Sequence, residues 1–167
     1  MNFQNEIDQL TKSFTEKFGN LTAEQLNWKP NAETWSIAQV IDHLIVINKT
    51  YFPIITAVRN GTYRLPFLAR FSFITNFFGN FILNSVEPER KRKMKTFPIW
   101  QPQASTISGN IVSEFAKHQE ELKKSITDCA DLVAKGQVIS SPANNIIVYK
   151  LEKAFEIIIT HEKRHFN

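Results

Sequence analysis

Two of the four histidines in this chain, His161 and His165, lie four residues apart in its last segment, HEKRHFN. Side chains four residues apart on an α-helix share one face, so the two imidazoles are predicted to be neighbours. Imidazole is a common ligand of zinc, nickel and copper ions. The spacing allows two interpretations: a pair of metal ligands, or two polar residues on a fraying terminus.

The apolar pattern of the same segment favours the ligand interpretation. Counting back from His165, steps of four, three, four and three residues reach His161, Ile158, Ala154 and Leu151. This is the core-facing stripe of an amphipathic helix, so both imidazoles are predicted to point into the protein. The charged residues between them are predicted to face elsewhere: Glu162, Lys163 and Arg164.

A third histidine, His43, has the same setting, with Val40 three residues before it and Ile47 four residues after it. A neutral imidazole buried without a partner is destabilising. Three imidazoles that converge on one point can all be satisfied by binding the same cation. Three histidine ligands with a fourth position left open are typical of a catalytic zinc site. A histidine on an apolar stripe is more often a hydrogen-bonded core residue, and spacing does not show that two helices meet.

The fourth histidine, His118, shares a stripe with Ile111, Phe115 and Leu122. A fourth metal ligand and a substrate contact are both open interpretations. The pattern favours a third one, a residue at the rim of the site.

Other catalytic groups are poorly supported. Cys129 has no apparent basic partner in the sequence, so a protein thiolate nucleophile is not expected. Glu162 adjoins a candidate ligand but points about 100° away from it on a helix, which favours an outer-shell or surface role. The chain has no G-x-S-x-G, P-loop or dinucleotide-binding motif.

Four long amphipathic segments are predicted to position these histidines. They are Asn2 to about Phe18, Ser36 to about Asn60, Ser105 to about Ala134, and a last helix that begins between Pro142 and Tyr149. A short helical turn begins at Thr22, whose capping box with Gln25 is repeated at Ser36 with Gln39. Pro53 is predicted to kink the second long helix. The pattern predicts one all-α domain over residues 1–167, a four-helix bundle.

An aromatic-rich insert, Leu65 to Val86, separates the second and third long helices and precedes the basic run EPERKRKMK. Its polar residues make a transmembrane span costly. We expect an additional helix that covers the bundle or forms the interface of a homodimer. The alternative is a helix that lies on a membrane surface, since basic residues beside an apolar face attract anionic lipid.

Composition sets broader limits. The chain has 167 residues, 43% of them apolar, and a net charge of +4. This net charge is small, and much of it comes from the single run EPERKRKMK, so no nucleic-acid partner is predicted. A single cysteine excludes an intramolecular disulfide, and the acidic N-terminal segment lacks the apolar stretch of a secretory signal. Both features favour a reducing, cytoplasmic location.

Two motifs resemble the DinB/YfiT-like family of metalloenzymes. The first lies within LTAEQLNWKPNAETWSIAQVIDHL and comprises Trp35, Ser36, Gln39, His43 and Leu44. The second is the terminal HEKRH, with His161, Glu162, Arg164 and His165. The stretch from Lys95 to Pro102 also looks like the family's segment before its third helix.

The resemblance implies an up-down-down-up bundle that binds a divalent metal, usually nickel or zinc, through His43, His161 and His165. It also implies a thiol-dependent S-transferase that uses a low-molecular-weight thiol such as bacillithiol on a small electrophile. The alternatives are a metal-dependent hydrolase and a non-catalytic binding or membrane-peripheral module. The expected partners are a small-molecule substrate and a second copy of the chain.

Overall fold

A computed structural model describes residues 2–89, 96–102 and 105–167. Its helices are α1 (Phe3–Phe18), α2 (Ala23–Asn27), α3 (Ile37–Arg59), α4 (Ser72–Ser85), α5 (Ile111–Asp128), α6 (Ala130–Ala134) and α7 (Leu151–Phe166). One two-stranded sheet is formed by β1 (Val138–Ser141) and β2 (Asn144–Lys150). The mostly helical fold confirms the predicted class, an all-α bundle with an extra helix between its second and third long helices.

The four long helices α1, α3, α5 and α7 pack as a closed ring. α1 contacts α5 and α7, and α3 contacts the same two helices. The core between them is filled by large apolar side chains, among them Ile7, Phe14, Leu44, Phe115 and Phe155. Removing such side chains from water is the main favourable contribution to folding.

Both predicted capping boxes are present. The Ser36 hydroxyl accepts a hydrogen bond from the backbone N–H of Gln39, whose side chain accepts one from the backbone N–H of Ser36. These bonds satisfy backbone donors that a helix start leaves free, and they fix where α3 begins. Thr22 and Gln25 start α2 in the same way. His43 therefore lies in the second turn of α3.

The predicted third helix, Ser105 to Ala134, is longer than the observed one. α5 begins only at Ile111, and at Cys129 the chain makes a tight turn that separates it from α6. The backbone N–H of Cys129 donates to the carbonyls of Ile126 and Thr127. In an α-helix it would donate to the carbonyl four residues before it, so the helix has ended at this point. The apolar period runs on through this turn, so it could not reveal the break.

The last helix was predicted to begin between Pro142 and Tyr149, but it begins at Leu151, and the residues before it form a β-hairpin. β1 and β2 are antiparallel and turn through Pro142 and Ala143. The segment NNIIVYK is rich in β-branched residues, but short apolar runs of this kind do not distinguish a strand from a helix. The Tyr149 hydroxyl lies 2.9 Å from the hydroxyl of Tyr51 on α3, which joins the hairpin to the bundle.

The insert predicted as a helix over Leu65 to Val86 is α-helical only over α4, after a 3₁₀ turn at Phe67–Arg70. α4 packs on β2 and α7. No helix among the described residues is long and apolar enough to cross a membrane. Residues 90–95 of the basic run lie outside the described residues. The predicted kink at Pro53 stays a prediction; that residue lies inside α3.

Candidate metal centre

The structure brings together the three histidines that the sequence singled out. His43 projects from α3, and His161 and His165 project from the last two turns of α7. Each offers a ring nitrogen, and the three nitrogens all lie within 4.8 Å of one another. The Nε2 atoms of His161 and His165 are 3.0 Å apart.

These separations suit a single cation. Nitrogen ligands lie about 2.0–2.1 Å from zinc, so two ligands of a tetrahedral ion are about 3.3–3.4 Å apart. The distance between the two α7 nitrogens is near this value, and the 4.8 Å limit for the whole group requires only small side-chain shifts. Among the described residues, no Cys, Asp or Glu belongs to the group. The donor set is therefore three imidazoles, which divalent transition metals accept.

A backbone carbonyl orients His43. Its Nδ1 lies 2.6 Å from the carbonyl oxygen of Trp100, so Nδ1–H donates to that oxygen and leaves Nε2 free as a ligand. The Trp35 ring also packs against the imidazole, with ring centroids 4.9 Å apart. Asn27 helps to hold the segment that follows Trp100, because its side chain bonds both the N–H and the carbonyl of Ile107.

Burial keeps the three imidazoles neutral, which is the form that binds metal. Desolvation lowers the pKa of His43, although its bond to the Trp100 carbonyl acts in the opposite direction. Desolvation, with the nearby His43 and Arg164, lowers the pKa of His165 to about 4. The pKa of His161 is lowered well below its ordinary value, first by burial and then by the two neighbouring histidines.

Residues 6–167 match the family model of the DinB superfamily. The chain belongs to the DinB superfamily. This confirms the family that the two motifs suggested. No curated protein and no solved structure matches the chain.

Glu162 lies inside this DinB-superfamily bundle, so the surface role that the sequence left open is wrong. Its carboxylate is fully buried and accepts hydrogen bonds from the side-chain amides of Asn48, at 2.7 Å, and Gln119, at 2.8 Å. Burial raises the pKa of Glu162 to about 7, although both amides favour the charged form. The carboxylate thus connects α7 to α3 and α5 directly beside the candidate ligand His161.

His118 does not belong to the group of candidate ligands. It is also not a rim residue, because only 2% of it is exposed. Its ring packs on Phe52, with centroids 5.6 Å apart, and its Nδ1 lies 3.8 Å from a carboxylate oxygen of Glu121. Neither ring nitrogen makes a hydrogen bond within the described part of the chain. Burial, with the charge of Lys49, lowers the pKa of His118 to about 4.

Cys129 has a basic neighbour that the sequence did not reveal. Arg59, from the end of α3, interacts with its thiol and also forms a 2.9 Å ion pair with Asp131. Burial nevertheless raises the pKa of the Cys129 thiol, because desolvation outweighs the favourable charge of Arg59. A buried thiol with a raised pKa is a poor nucleophile, but the premise of the sequence prediction, that Cys129 lacks a basic partner, is wrong.

Several residues that support the site carried no sequence signal of their role. They are Asn27, Asn48, Trp100, Gln119 and, as a buried residue, Glu162. The Trp100 contact uses a backbone carbonyl, and any residue type supplies one. Asn48 and Gln119 lie on the apolar, buried faces of α3 and α5. An amide at such a position needs a hydrogen-bond partner inside the protein, and this is the one sequence signal that could have indicated their role.

Proposed function

We propose that the chain is a divalent-metal-dependent enzyme that transfers a low-molecular-weight thiol, of the bacillithiol type, to a small electrophile. The observation that carries this proposal is the convergence of three imidazoles from two helices, with no carboxylate or thiolate beside them in the described part of the chain. Structural zinc sites are usually closed by four ligands, often cysteines, whereas three histidines leave a position open. Membership of the DinB superfamily supports the same assignment.

His43, His161 and His165 would hold the ion, which we expect to be nickel or zinc. A divalent cation at such a site lowers the pKa of a thiol or water at its open position. The Trp100 carbonyl fixes the ring of His43. Glu162, Asn48 and Gln119 fix α7 against the other two helices, so the three nitrogens keep their separation.

The proposed reaction joins the sulfur of the thiol to a carbon of the electrophile. The bond from that carbon to its leaving group breaks, and the thiol proton and the leaving group depart as the conjugate acid. No protein nucleophile is needed. This agrees with the buried Cys129, whose thiol pKa is raised. The chain's histidines act only as ligands and remain neutral throughout.

Purified protein loaded with nickel or zinc should be tested with bacillithiol, mycothiol and glutathione, each with a chromogenic electrophile. We expect metal-dependent loss of the free thiol with one of the three, and loss of that activity in His161→Ala. A matched control is His118→Ala, which also removes a helical histidine but not one of the candidate ligands.

Two results would contradict parts of this proposal. Full turnover by a metal-free His161→Ala variant would exclude the metal mechanism. Metal binding by the wild type without conversion of any thiol would exclude the transfer reaction. In that case hydrolysis by an activated water would be the better assignment, and ester and amide substrates would test it.

A further inference from the structure

Helix α4 rests on the core through Ile82 and Leu83, which are only partly buried. The residues that it buries are small or polar: Thr75, Gly79 and Ser85. A Cβ atom at Gly79 would lie 2.9 Å from Cγ of Lys153 and 3.3 Å from Cβ of Tyr149, so α4 approaches β2 and α7 closely. Large aromatic residues therefore do not fasten α4 to the domain.

The aromatic residues of this region point outward instead. The exposed fraction is 70% for Phe73 and 64% for Phe77, which are four residues apart and share one face of α4. We define the aromatic face as Phe67, Phe71, Phe73, Phe77 and Phe81, all exposed. Three pairs of rings in this set are in contact: Phe67 with Phe71, Phe71 with Phe73, and Phe77 with Phe81, with centroids 5.4, 6.0 and 6.2 Å apart. A contiguous apolar surface of this kind marks an interaction site.

The charged residues in the chain segment that carries the aromatic face are basic. The sequence contains no Asp or Glu between Asp42 and Glu87, whereas Arg64 and Arg70 are both exposed. The Arg70 guanidinium lies 5.5 Å from the centre of the Phe67 ring, at the edge of the apolar surface. In the sequence, five further Lys and Arg residues occur at positions 90–95.

We propose that the aromatic face docks on the surface of an anionic phospholipid bilayer. The rings of α4 would enter the boundary between headgroups and acyl chains, and Arg64 and Arg70 would contact the lipid phosphates. The helix lies on the surface rather than across the membrane, which agrees with its 14 residues. This inference does not depend on the proposed enzymatic function.

A second copy of the chain fits the same face less well. A two-fold dimer pairs one patch with its own copy, so the cationic rim of one protomer would oppose that of the other. No acidic residue of the insert is available to offset this repulsion. An anionic bilayer complements both the apolar rings and the arginines. The homodimer expected from the sequence is therefore an outcome that the test must distinguish.

Docking through α4 would bring the candidate metal centre near the membrane. Arg164, the residue before His165, donates from Nη1 to the carbonyls of Ser85 and Glu87 at the end of α4, at 3.2 and 2.9 Å. The end of α4 is thus fastened to the turn of α7 that carries a candidate ligand.

Cosedimentation of the full chain with vesicles tests this inference. One set of vesicles contains phosphatidylcholine alone, and the other contains one third phosphatidylserine. We expect binding to the anionic set that weakens as salt is raised. The double variant Phe73→Ser/Phe77→Ser should bind at least about tenfold more weakly, because two large apolar side chains are lost. Arg70→Gln should bind about fivefold more weakly.

Trp28→Ser is the matched control, because Trp28 is as exposed as Phe73 but lies at the end of α2. It should bind like the wild type. Equal loss in Trp28→Ser would mean nonspecific hydrophobic adsorption and overturn the inference. So would the absence of binding to anionic vesicles, and so would light scattering that shows a dimer dissociated by the double Phe substitution.

Discussion

Two buried regions of the bundle contain histidine on an apolar stripe, and they differ in what the imidazoles meet. At one end, His43 faces His161 and His165, and its Nδ1 is bound by a backbone carbonyl. In the middle of α5, His118 packs on the ring of Phe52, and neither of its nitrogens forms a hydrogen bond within the described residues. Burial alone does not make a metal centre. Convergence from two helices makes a candidate one, because each of the three histidines offers one nitrogen to the same point.

The comparison is tested most strongly by removing one histidine from each region. His161→Ala should lower the affinity for nickel or zinc well over 100-fold, because only two imidazoles would remain. This loss exceeds the roughly 10- to 100-fold loss of metal affinity that follows substitution of a residue that only supports a ligand. His118→Ala should leave the affinity unchanged. Equilibrium dialysis with metal analysis measures both. Similar losses in the two variants would show that His118 contributes to the same centre.

The second prediction concerns the connection between α7 and its neighbours. Glu162→Ala should lower the free energy of unfolding by about 3 kcal/mol, because the buried amides of Asn48 and Gln119 each lose an acceptor. Urea denaturation measures the loss. Glu162→Gln keeps the shape and one acceptor oxygen, so it should cost less. An alanine variant as stable as the wild type would show that this carboxylate does not hold the helices together.

The smallest expected effect concerns His118 and pH. Its folded-state pKa of about 4 lies below the ordinary value of 6.5, so the unfolded chain takes up a proton first as the pH falls. Stability is therefore lost between pH 6.5 and pH 4, and the loss from pH 7 to pH 5 is about 2 kcal/mol. His118→Leu should be more stable than the wild type, and the difference should grow toward pH 5.

Thermal or urea unfolding of the two proteins at pH 7 and pH 5 measures this effect. Taking the difference between wild type and variant removes the contributions of the other three histidines, which are present in both. The prediction is contradicted if the difference in stability between the two proteins is the same at pH 7 and pH 5. The folded protein would then take up a proton on His118 as readily as the unfolded chain, for example because Glu121 is its neighbour.

The helices were predictable because their signals are local. The capping boxes at Thr22 and Ser36 depend on residues three apart, and the apolar stripes depend on one helical period. The hairpin after Gly136 was missed because its short β-branched run fits a strand and a helix equally well. Its pairing partner, not its own pattern, makes it a strand.

The three histidines of the candidate site were predictable from the sequence, whereas the residues that support them were not. His43, His161 and His165 share a residue type and a stripe that can be recognised in the sequence. The contacts that hold them cross the bundle. The Trp100 carbonyl is 57 residues from His43, and Asn48 is 114 residues from Glu162. Such separations are set by packing, which no local pattern encodes.

X-ray absorption spectroscopy of the zinc-loaded protein tests the central claim most directly. The predicted coordination shell has three imidazole nitrogens at about 2.0–2.1 Å from zinc, with water at the open position. The His118→Ala variant should give the same spectrum. A shell that contains sulfur, or one without the multiple-scattering signature of imidazole, would contradict a centre formed by His43, His161 and His165.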